Sequence, residues 1–251
     1  MKNQRSKFYI FSIFVVTIIF LFGFKKEKNE FQHSDNQSVV VLQLFTSEGC
    51  SSCPAADELL REYANRDNIF ALSYHVTYWN RLGWADPFSQ RQFDNLQYSY
   101  GENFRLSSVY TPQIIVNGNS EAVGSSENKI ANLINTSLSK PAKNSILLDK
   151  SIKNNEITIK YSIKEIISKN AILNFELVEK NLSTKVKRGE NEGRTLQHYN
   201  VVRSEKTQKA NEKGEITFEL DSTWKKENCA VIVFLQDSKL GQITGASKVD
   251  F

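Results

Sequence analysis

Two cysteines separated by two serines lie in the most constraining stretch of this chain, LFTSEGCSSCPAADELL around residue 50. The preceding segment, SVVVLQLF, is an almost continuous apolar run, which is typical of a strand buried on both faces. The following segment begins at Pro54 and carries apolar residues at helical spacing, and proline is favoured in the first turn of a helix. This pattern predicts that Cys50 and Cys53 lie at a strand-to-helix junction.

Cysteines at this spacing form a redox-active dithiol, part of a metal site or a structural disulfide. The chain has 3 cysteines, too few for a disulfide framework, and a disulfide that closes so short a loop adds little entropic stabilisation. A helix N-terminus favours a thiolate, because it presents unpaired N–H groups and a partial positive charge. We therefore favour redox chemistry, with Cys50 on the outer side of the turn as the attacking sulfur and Cys53 as the resolving sulfur. The other two uses stay open.

A second buried strand is predicted for residues 69–76, and the order strand, helix, strand gives a right-handed parallel unit. His75 would lie at the carboxyl end of this strand, beside the cysteines, where ligands and catalytic groups gather in such sheets. It is a candidate for proton transfer or for a third metal ligand beside the two sulfurs. The alternative is a histidine that is hydrogen-bonded to nearby backbone.

Aromatic and acidic residues near the cysteines are further candidates. Trp79 and Trp84 lie in a loop just past the second strand and suit a wall over the cysteine pair, and the alternative is ordinary packing of that loop. Asp86 with Pro87 is interpreted as the start of the next helix. Glu48 would disfavour a thiolate at the cysteines, which favours a role as a reductant.

The segment VYTPQIIVNG predicts a third strand at residues 114–116, with Pro112 at its start and Asn117-Gly118 as a hairpin turn. A fourth strand and a helix over residues 126–138 would complete this unit.

From residue 145 onward, helical spacing gives way to alternation, as in ITIKYSI and EITFEL. This predicts a β-sandwich of about seven or eight strands over residues 145–251. A basic loop at residues 188–194, with His198 on the strand that follows, either reaches over the cysteines or is a solvated hairpin. Cys229 begins an apolar strand, where we expect a buried and inert thiol.

The first residues predict export. A basic head precedes an uncharged apolar run at residues 8–24, which predicts a signal peptide or N-terminal membrane anchor over residues 1–28, followed by a tether over residues 29–37. With positive charge ahead of the run, the remaining chain is expected outside the cytoplasm, in the cell envelope or periplasm, soluble or anchored through residues 8–24. The formal net charge is +4, and the basic head supplies most of it. The sequence therefore predicts no nucleic-acid surface.

Four segments together resemble those of an uncharacterised family of secreted thioredoxin-like proteins that is known only as a domain of unknown function. They are TSEGCSSCPAADELL, HVTYWNRLGWADPF, VYTPQIIVNG and RGENEGRTLQHYNVV, and their span covers nearly all of the chain after the export segment. The resemblance implies an α/β thioredoxin-like fold for residues 38–140, and the predicted all-β sandwich-like domain would follow it over residues 145–251.

The resemblance also implies roles for individual residues. Cys50 and Cys53 would be the active-site pair, and Pro112 would be a cis-proline that faces it. The backbone of Thr111 would position an extended substrate strand across Cys50. Asn80 stands where members of the family commonly carry aspartate, so no acid–base role is carried over to that position.

These features predict an exported thiol–disulfide oxidoreductase that acts on thiols or disulfides of protein partners without a cofactor. One alternative is a copper-binding module in which Cys50, Cys53 and His75 hold the ion, because thiolate and imidazole ligands suit Cu(I). Another is a non-catalytic protein that uses its scaffold to bind a partner.

Overall fold

A computed structural model describes residues 37–165 and 167–251 of the chain. The segment predicted as a signal peptide or membrane anchor, residues 1–28, lies outside the described residues, as does the predicted tether apart from Gln37. Within the described part, none of the helices has the length and apolar character needed to cross a membrane.

The described residues form eleven strands and three α-helices, together with two short 3₁₀ turns. In chain order the elements are β1 (Val40–Thr46), α1 (Cys53–Ala64), β2 (Ile69–His75), α2 (Arg91–Asn103), β3 (Gln113–Val116), β4 (Ser120–Val123), α3 (Glu127–Leu138), β5 (Ile146–Lys153), β6 (Glu156–Ile163), β7 (Ile172–Lys185), β8 (Thr195–Lys209), β9 (Lys213–Glu219), β10 (Cys229–Gln236) and β11 (Ile243–Asp250). The 3₁₀ turns are Asn80–Leu82 and Lys226–Asn228.

Eight strands form one mixed sheet in the order β11-β10-β7-β8-β2-β1-β3-β4, and β5, β6 and β9 form a second sheet. Strands β1 and β2 are parallel, with Thr46 beside His75 at their carboxyl ends. Strand β8 pairs with the other edge of β2, in parallel, at Ser73 and Val201. Strands from both halves of the chain therefore belong to one sheet.

The predicted fold class, a thioredoxin-like α/β domain followed by a separate β-sandwich, is wrong. The described chain is mostly β, with one large mixed sheet, a small three-stranded sheet and three short helices. The spacing of apolar residues shows which segments form strands. Which strands lie side by side is decided by contacts between residues that are far apart in the chain. Here β8 hydrogen-bonds to β2, so the sheet continues where the sequence predicted a second domain.

Both faces of the large sheet are covered. On one face, α1 and α3 pack over the apolar residues of β1 such as Leu42 and Leu44. The three-stranded sheet packs on β7 and β10 through Phe175 and Val233 among others. On the opposite face, α2 packs against Phe45 and its neighbours. The cysteine turn, which connects β1 to α1, is thus held between rigid elements.

Several local predictions are confirmed. The strand before the cysteines, the helix after them and the β3–β4 hairpin are present, and Asn117 and Gly118 both have positive φ, at 48° and 70°. Cys229 is a buried free thiol. The helix predicted to begin near Asp86 instead begins at Arg91, because Asp86 is engaged elsewhere.

Candidate functional site

The two cysteines form a disulfide in the turn between β1 and α1, with their Cα atoms 5.4 Å apart. Their predicted position at a strand-to-helix junction is confirmed, since Cys53 is the first residue of α1. Cys50 is not on the surface of the turn, because only 1 % of it is exposed and none of Cys53 is. The intervening Ser51 and Ser52 are exposed, and Ser52 Oγ lies 3.4 Å from Cys50 Sγ. The disulfide therefore lies just below a polar surface.

The loop between β7 and β8, residues 186–194, is hydrogen-bonded to the cysteine turn. The fully buried Asn191 donates from Nδ2 to the backbone carbonyls of Glu48 and Cys50, at 2.9 Å each. Glu190 accepts a hydrogen bond from the backbone N–H of Ser51 at 3.1 Å. Of the two alternatives predicted for this loop, contact with the cysteine region is the one observed, and the loop acts as a latch on the turn.

We expect the Asn191→Ala variant to be reduced by a water-soluble phosphine about tenfold faster or more. Reagents reach these buried sulfurs when the turn opens, and the variant lacks two hydrogen bonds that hold it closed, each worth about 1 kcal/mol. The rate is measured by alkylating the released thiols and counting them by mass spectrometry. Glu192→Ala, at an exposed position of the same loop, is the matched control. Equal reduction rates in both variants would rule out the latch.

Buried charged groups lie behind the cysteine turn. Glu48 Oε1 lies 3.1 Å from His198 Nε2, and Glu48 Oε2 accepts a hydrogen bond of 2.6 Å from Trp84 Nε1. Asp57 Oδ2 lies 3.7 Å from His198 Nδ1. Burial alone would lower the pKa of His198, but the nearby carboxylates of Asp57 and Glu48 outweigh it and raise the pKa to about 9. His198 is therefore an imidazolium at neutral pH.

His75 belongs to the same group of side chains. Its Nδ1 lies 2.7 Å from Asp86 Oδ2, and the same carboxylate oxygen accepts the backbone N–H of Glu48 at 2.9 Å. The rings of His75 and His198 pack edge to face, 4.8 Å apart. Burial alone would raise the pKa of Asp86, but the charge and hydrogen bond of His75 and two backbone N–H groups outweigh it and lower the pKa. The sequence allowed a hydrogen bond from His75 to nearby backbone, but in the structure the partner of its Nδ1 is the carboxylate of Asp86.

The two tryptophans both contact the cysteine turn. Trp84 does so through its bond to Glu48. Trp79 Cβ lies 2.9 Å from the position that a Cβ at residue 49 would take, so glycine is required there for this close approach. Trp79 Nε1 also donates to Thr111 Oγ1 at 2.8 Å, and the Thr111–Pro112 peptide bond is cis. The loop that holds Thr111 is thereby joined to the turn through one indole ring.

The ligands predicted for copper are engaged in other ways. Cys50 and Cys53 are bonded to each other, and His75 faces Asp86. Within residues 37–165 and 167–251, no three His, Cys, Asp or Glu side chains are arranged to hold a metal ion.

Sequence reasoning missed several residues of this site. Asp57 had a local signal, because it lies four positions after Cys53 and such residues share a helix face. The local sequence around Asp86 predicts a helix start, and nothing in the sequence distinguishes Asn191 from its neighbours in the loop. Both reach the cysteine turn across long loops, and no local pattern marks such contacts.

Two comparisons with known proteins concern most of the chain. A family model described as "Protein of unknown function (DUF1223)" matches residues 41–236. An X-ray crystal structure of a protein from Agrobacterium tumefaciens is similar, with a TM-score of 0.66 and 24% identity over 86% of this chain and 95% of that one. At this identity the likeness shows a shared fold. No curated protein matches the chain.

Two other structural likenesses are too weak to indicate a shared fold. A domain of the outer membrane lipoprotein Omp28 from Porphyromonas gingivalis has a TM-score of 0.29 and 13% identity over 44% of this chain and 88% of that one. A β-glucuronidase from Ruminococcus gnavus has a TM-score of 0.24 and 10% identity over 44% and 16% of the two chains. The predicted resemblance to a domain-of-unknown-function family is confirmed, but nothing in these comparisons supports membership of the thioredoxin-like superfamily.

Proposed function

The chain belongs to the family described as protein of unknown function (DUF1223), and because that description gives no activity, we propose from the site itself that the protein is a thiol–disulfide oxidoreductase acting on protein partners. One observation carries the proposal. The Cys50–Cys53 disulfide lies at the N-terminus of α1, with ionisable side chains buried directly behind the turn.

The chemical environment of the pair favours exchange over a purely structural role. The free N–H groups at the start of α1 stabilise a thiolate in the turn, and Ser52 Oγ is placed to donate to Cys50 Sγ. A structural disulfide between residues three apart adds little stability, because the loop that it closes is short. The charged groups buried behind the turn lower the stability of the fold, and a redox role would account for their presence.

The reaction transfers two electrons from two partner thiols to the disulfide. A partner thiolate attacks Cys50 Sγ, which forms a mixed disulfide and breaks the Cys50–Cys53 bond, and Cys53 leaves as a thiolate that takes up a proton. A second partner thiolate then attacks the partner sulfur of the mixed disulfide. The products are a partner disulfide and Cys50 as a thiolate, which is protonated in turn. The reduced protein runs the same steps in reverse on a partner disulfide.

His198, with Asp57 beside it, is suited to supply the proton that Cys53 gains and to take it back in the reverse reaction. Asp57 lies one helical turn after Cys53 on α1, its Oδ1 makes no hydrogen bond among the described residues, and its Oδ2 lies beside His198. In the proposed mechanism this pair is a proton reservoir that is shielded from solvent.

The test is a redox titration of the purified full chain. The protein is equilibrated in glutathione buffers of graded potential, quenched with acid and alkylated, and the modified cysteines are counted by mass spectrometry. We expect Cys50 and Cys53 to become reduced together in one transition, and the protein to catalyse exchange between glutathione and the disulfides of insulin.

Cys229→Ser is the control for this titration. Burial raises the pKa of Cys229 to about 11, so its thiol takes no part at neutral pH and the variant should match the wild type. A pair that stays oxidised at every glutathione potential, or that is reduced without catalysing exchange, would contradict the proposed function.

A further inference from the structure

A cavity of about 380 Å³ lies on the face of the large sheet opposite α1 and the disulfide. Asn174, Glu205 and Gln236 line its floor from β7, β8 and β10, and Leu96 and Tyr100 of α2 line its roof. Its volume falls in the usual range for small-molecule sites, about 300–1,000 Å³.

The amide side chains in this cavity are held in place by one another. Asn174 Nδ2 donates to Gln236 Oε1 at 3.1 Å, and Gln236 Nε2 donates to Tyr100 Oη at 3.2 Å. Tyr100 in turn donates to Gln43 Oε1 at 2.9 Å. This part of the wall is therefore rigid and has its hydrogen bonds satisfied.

One carboxyl group beside the cavity, that of Glu176, has no hydrogen-bond partner among the described residues. Glu205 stands directly across from Glu176 in the β7–β8 pairing, and Glu176 lies on the same sheet face as Asn174 because it is two residues further along the strand. Glu176 is fully buried, and neither of its carboxyl oxygens has a hydrogen-bond partner among the described residues. Glu205 therefore lines the cavity, and the buried Glu176 lies directly beside it.

Within the described part of the chain, neither acid of this pair forms an ion pair with a cationic side chain. Tyr74 and Tyr100 are the other titratable groups near Glu176, and Lys239, which also lines the cavity, is exposed. Burial, aided by the charge of Glu205, raises the pKa of Glu176 well above its usual range, and burial raises the pKa of Glu205. Both carboxyls are thus biased toward their protonated, neutral forms.

A cation bound in the cavity would offset the unfavourable free energy of this arrangement. An unpaired buried carboxyl lowers the stability of the fold, and glutamine or an apolar residue would fill the same space at lower cost. Like charges directly across a pair of strands are also unfavourable. A bound ammonium group would reverse both effects, because it would pair with the ionised acids in a setting of low polarity.

We propose that this cavity binds a small organic molecule that carries a protonated amine. The ammonium group contacts Glu205, with Glu176 behind it, and the apolar part of the molecule packs against Leu96, Tyr100 and Phe234, which also lines the cavity. This site is separate from the disulfide and adds a ligand class that the proposed redox function does not involve.

The test is isothermal titration calorimetry on the purified full chain at neutral pH with 2-phenylethylamine as the probe and 2-phenylethanol as its uncharged analogue. We expect the amine to bind at least about tenfold more tightly than the alcohol, and Glu205→Gln to weaken binding of the amine at least about tenfold. Titrations in buffers of different ionisation enthalpy should show proton release, because the amine ionises a carboxyl that is protonated in the free protein.

Two controls separate binding from folding. Glu215→Gln changes an exposed acid on β9 and should leave binding of the amine unchanged, and circular dichroism establishes that Glu205→Gln is folded. Glu176→Gln is a second variant at the buried acid and should also weaken binding. Equal affinity for the amine and the alcohol, unchanged affinity in folded Glu205→Gln, or no binding of the amine at millimolar concentration would each overturn the proposal. The readout needs no turnover, so it does not depend on whether the disulfide is catalytic.

Discussion

The Cys53→Ser variant is expected to retain a mixed disulfide on Cys50 that the wild-type chain loses. When the reduced protein reacts with 5,5′-dithiobis(2-nitrobenzoic acid), Cys50 attacks the reagent and keeps one thionitrobenzoate group. In the wild type, Cys53 then displaces this group and restores the disulfide. Serine at residue 53 has no thiolate for that step, so the adduct can be removed only by a thiol in solution. Such a thiol is not held beside Cys50 as Cys53 is, so the adduct should persist at least about 100-fold longer.

The adduct is measured by intact-mass spectrometry after an acid quench, and its loss is followed by the absorbance of the released thionitrobenzoate. Cys50→Ser is the informative comparison. Both sulfurs are buried, but the remaining Cys53 belongs to α1 whereas Cys50 lies in the turn before it, so Cys53 should be labelled much more slowly. Rapid loss of the adduct from Cys53→Ser, or equal labelling of the two variants, would remove the roles assigned to the two sulfurs. The alternative of a non-catalytic binding protein would then be favoured.

The second large effect is expected for His198→Leu, which should lower the free energy of unfolding by about 3–5 kcal/mol at mildly acidic pH. Glu48 and Asp57 lie on either side of the His198 ring, at 3.1 Å and 3.7 Å, and all three residues are buried. Leucine fills much of the space but removes the cation, which leaves two carboxyl groups in the interior without the charge that stabilises them. Urea denaturation measures the change.

The pH dependence of this effect has a definite sign. The pKa of His198 is about 9 in the folded chain and about 6.5 in an unfolded one. The folded chain therefore holds the proton more tightly, and the stabilisation from this proton, about 3 kcal/mol, is fully present below pH of about 6.5. It declines as the pH rises toward about 9 and is absent above that value. The stability difference between the wild type and His198→Leu should shrink over the same interval.

Two comparisons make this measurement specific. Gln197→Leu changes an exposed neighbour on β8 and should alter stability little at any pH. The double variant His198→Leu with Glu48→Gln should lose less free energy of unfolding than the two single variants lose in sum, because the two residues interact directly. A stability difference that stays constant between neutral and alkaline pH would show that His198 does not carry the charge assigned to it.

The sequence by itself determined the local structure around the cysteines. The apolar run of β1, the proline at the start of α1 and the Asn117-Gly118 turn each encode their conformation within a few residues. That is enough to place Cys50 and Cys53 at a strand-to-helix junction, and to place His75 at the carboxyl end of a neighbouring strand. These features depend on backbone preference and on the period of burial, and both are local.

Only the tertiary structure decided what surrounds the cysteines. The sheet continues from β2 into β8, which overturned the predicted fold class and brought the second half of the chain to the site. Asn191 bonds to Cys50 across 141 positions of sequence, and His198 meets Glu48 across 150. Which strand edges pair, and which buried charges then meet, depends on the free energy of the whole sheet. Hydrophobic period records that a residue is buried, but it does not record the residue it is buried against.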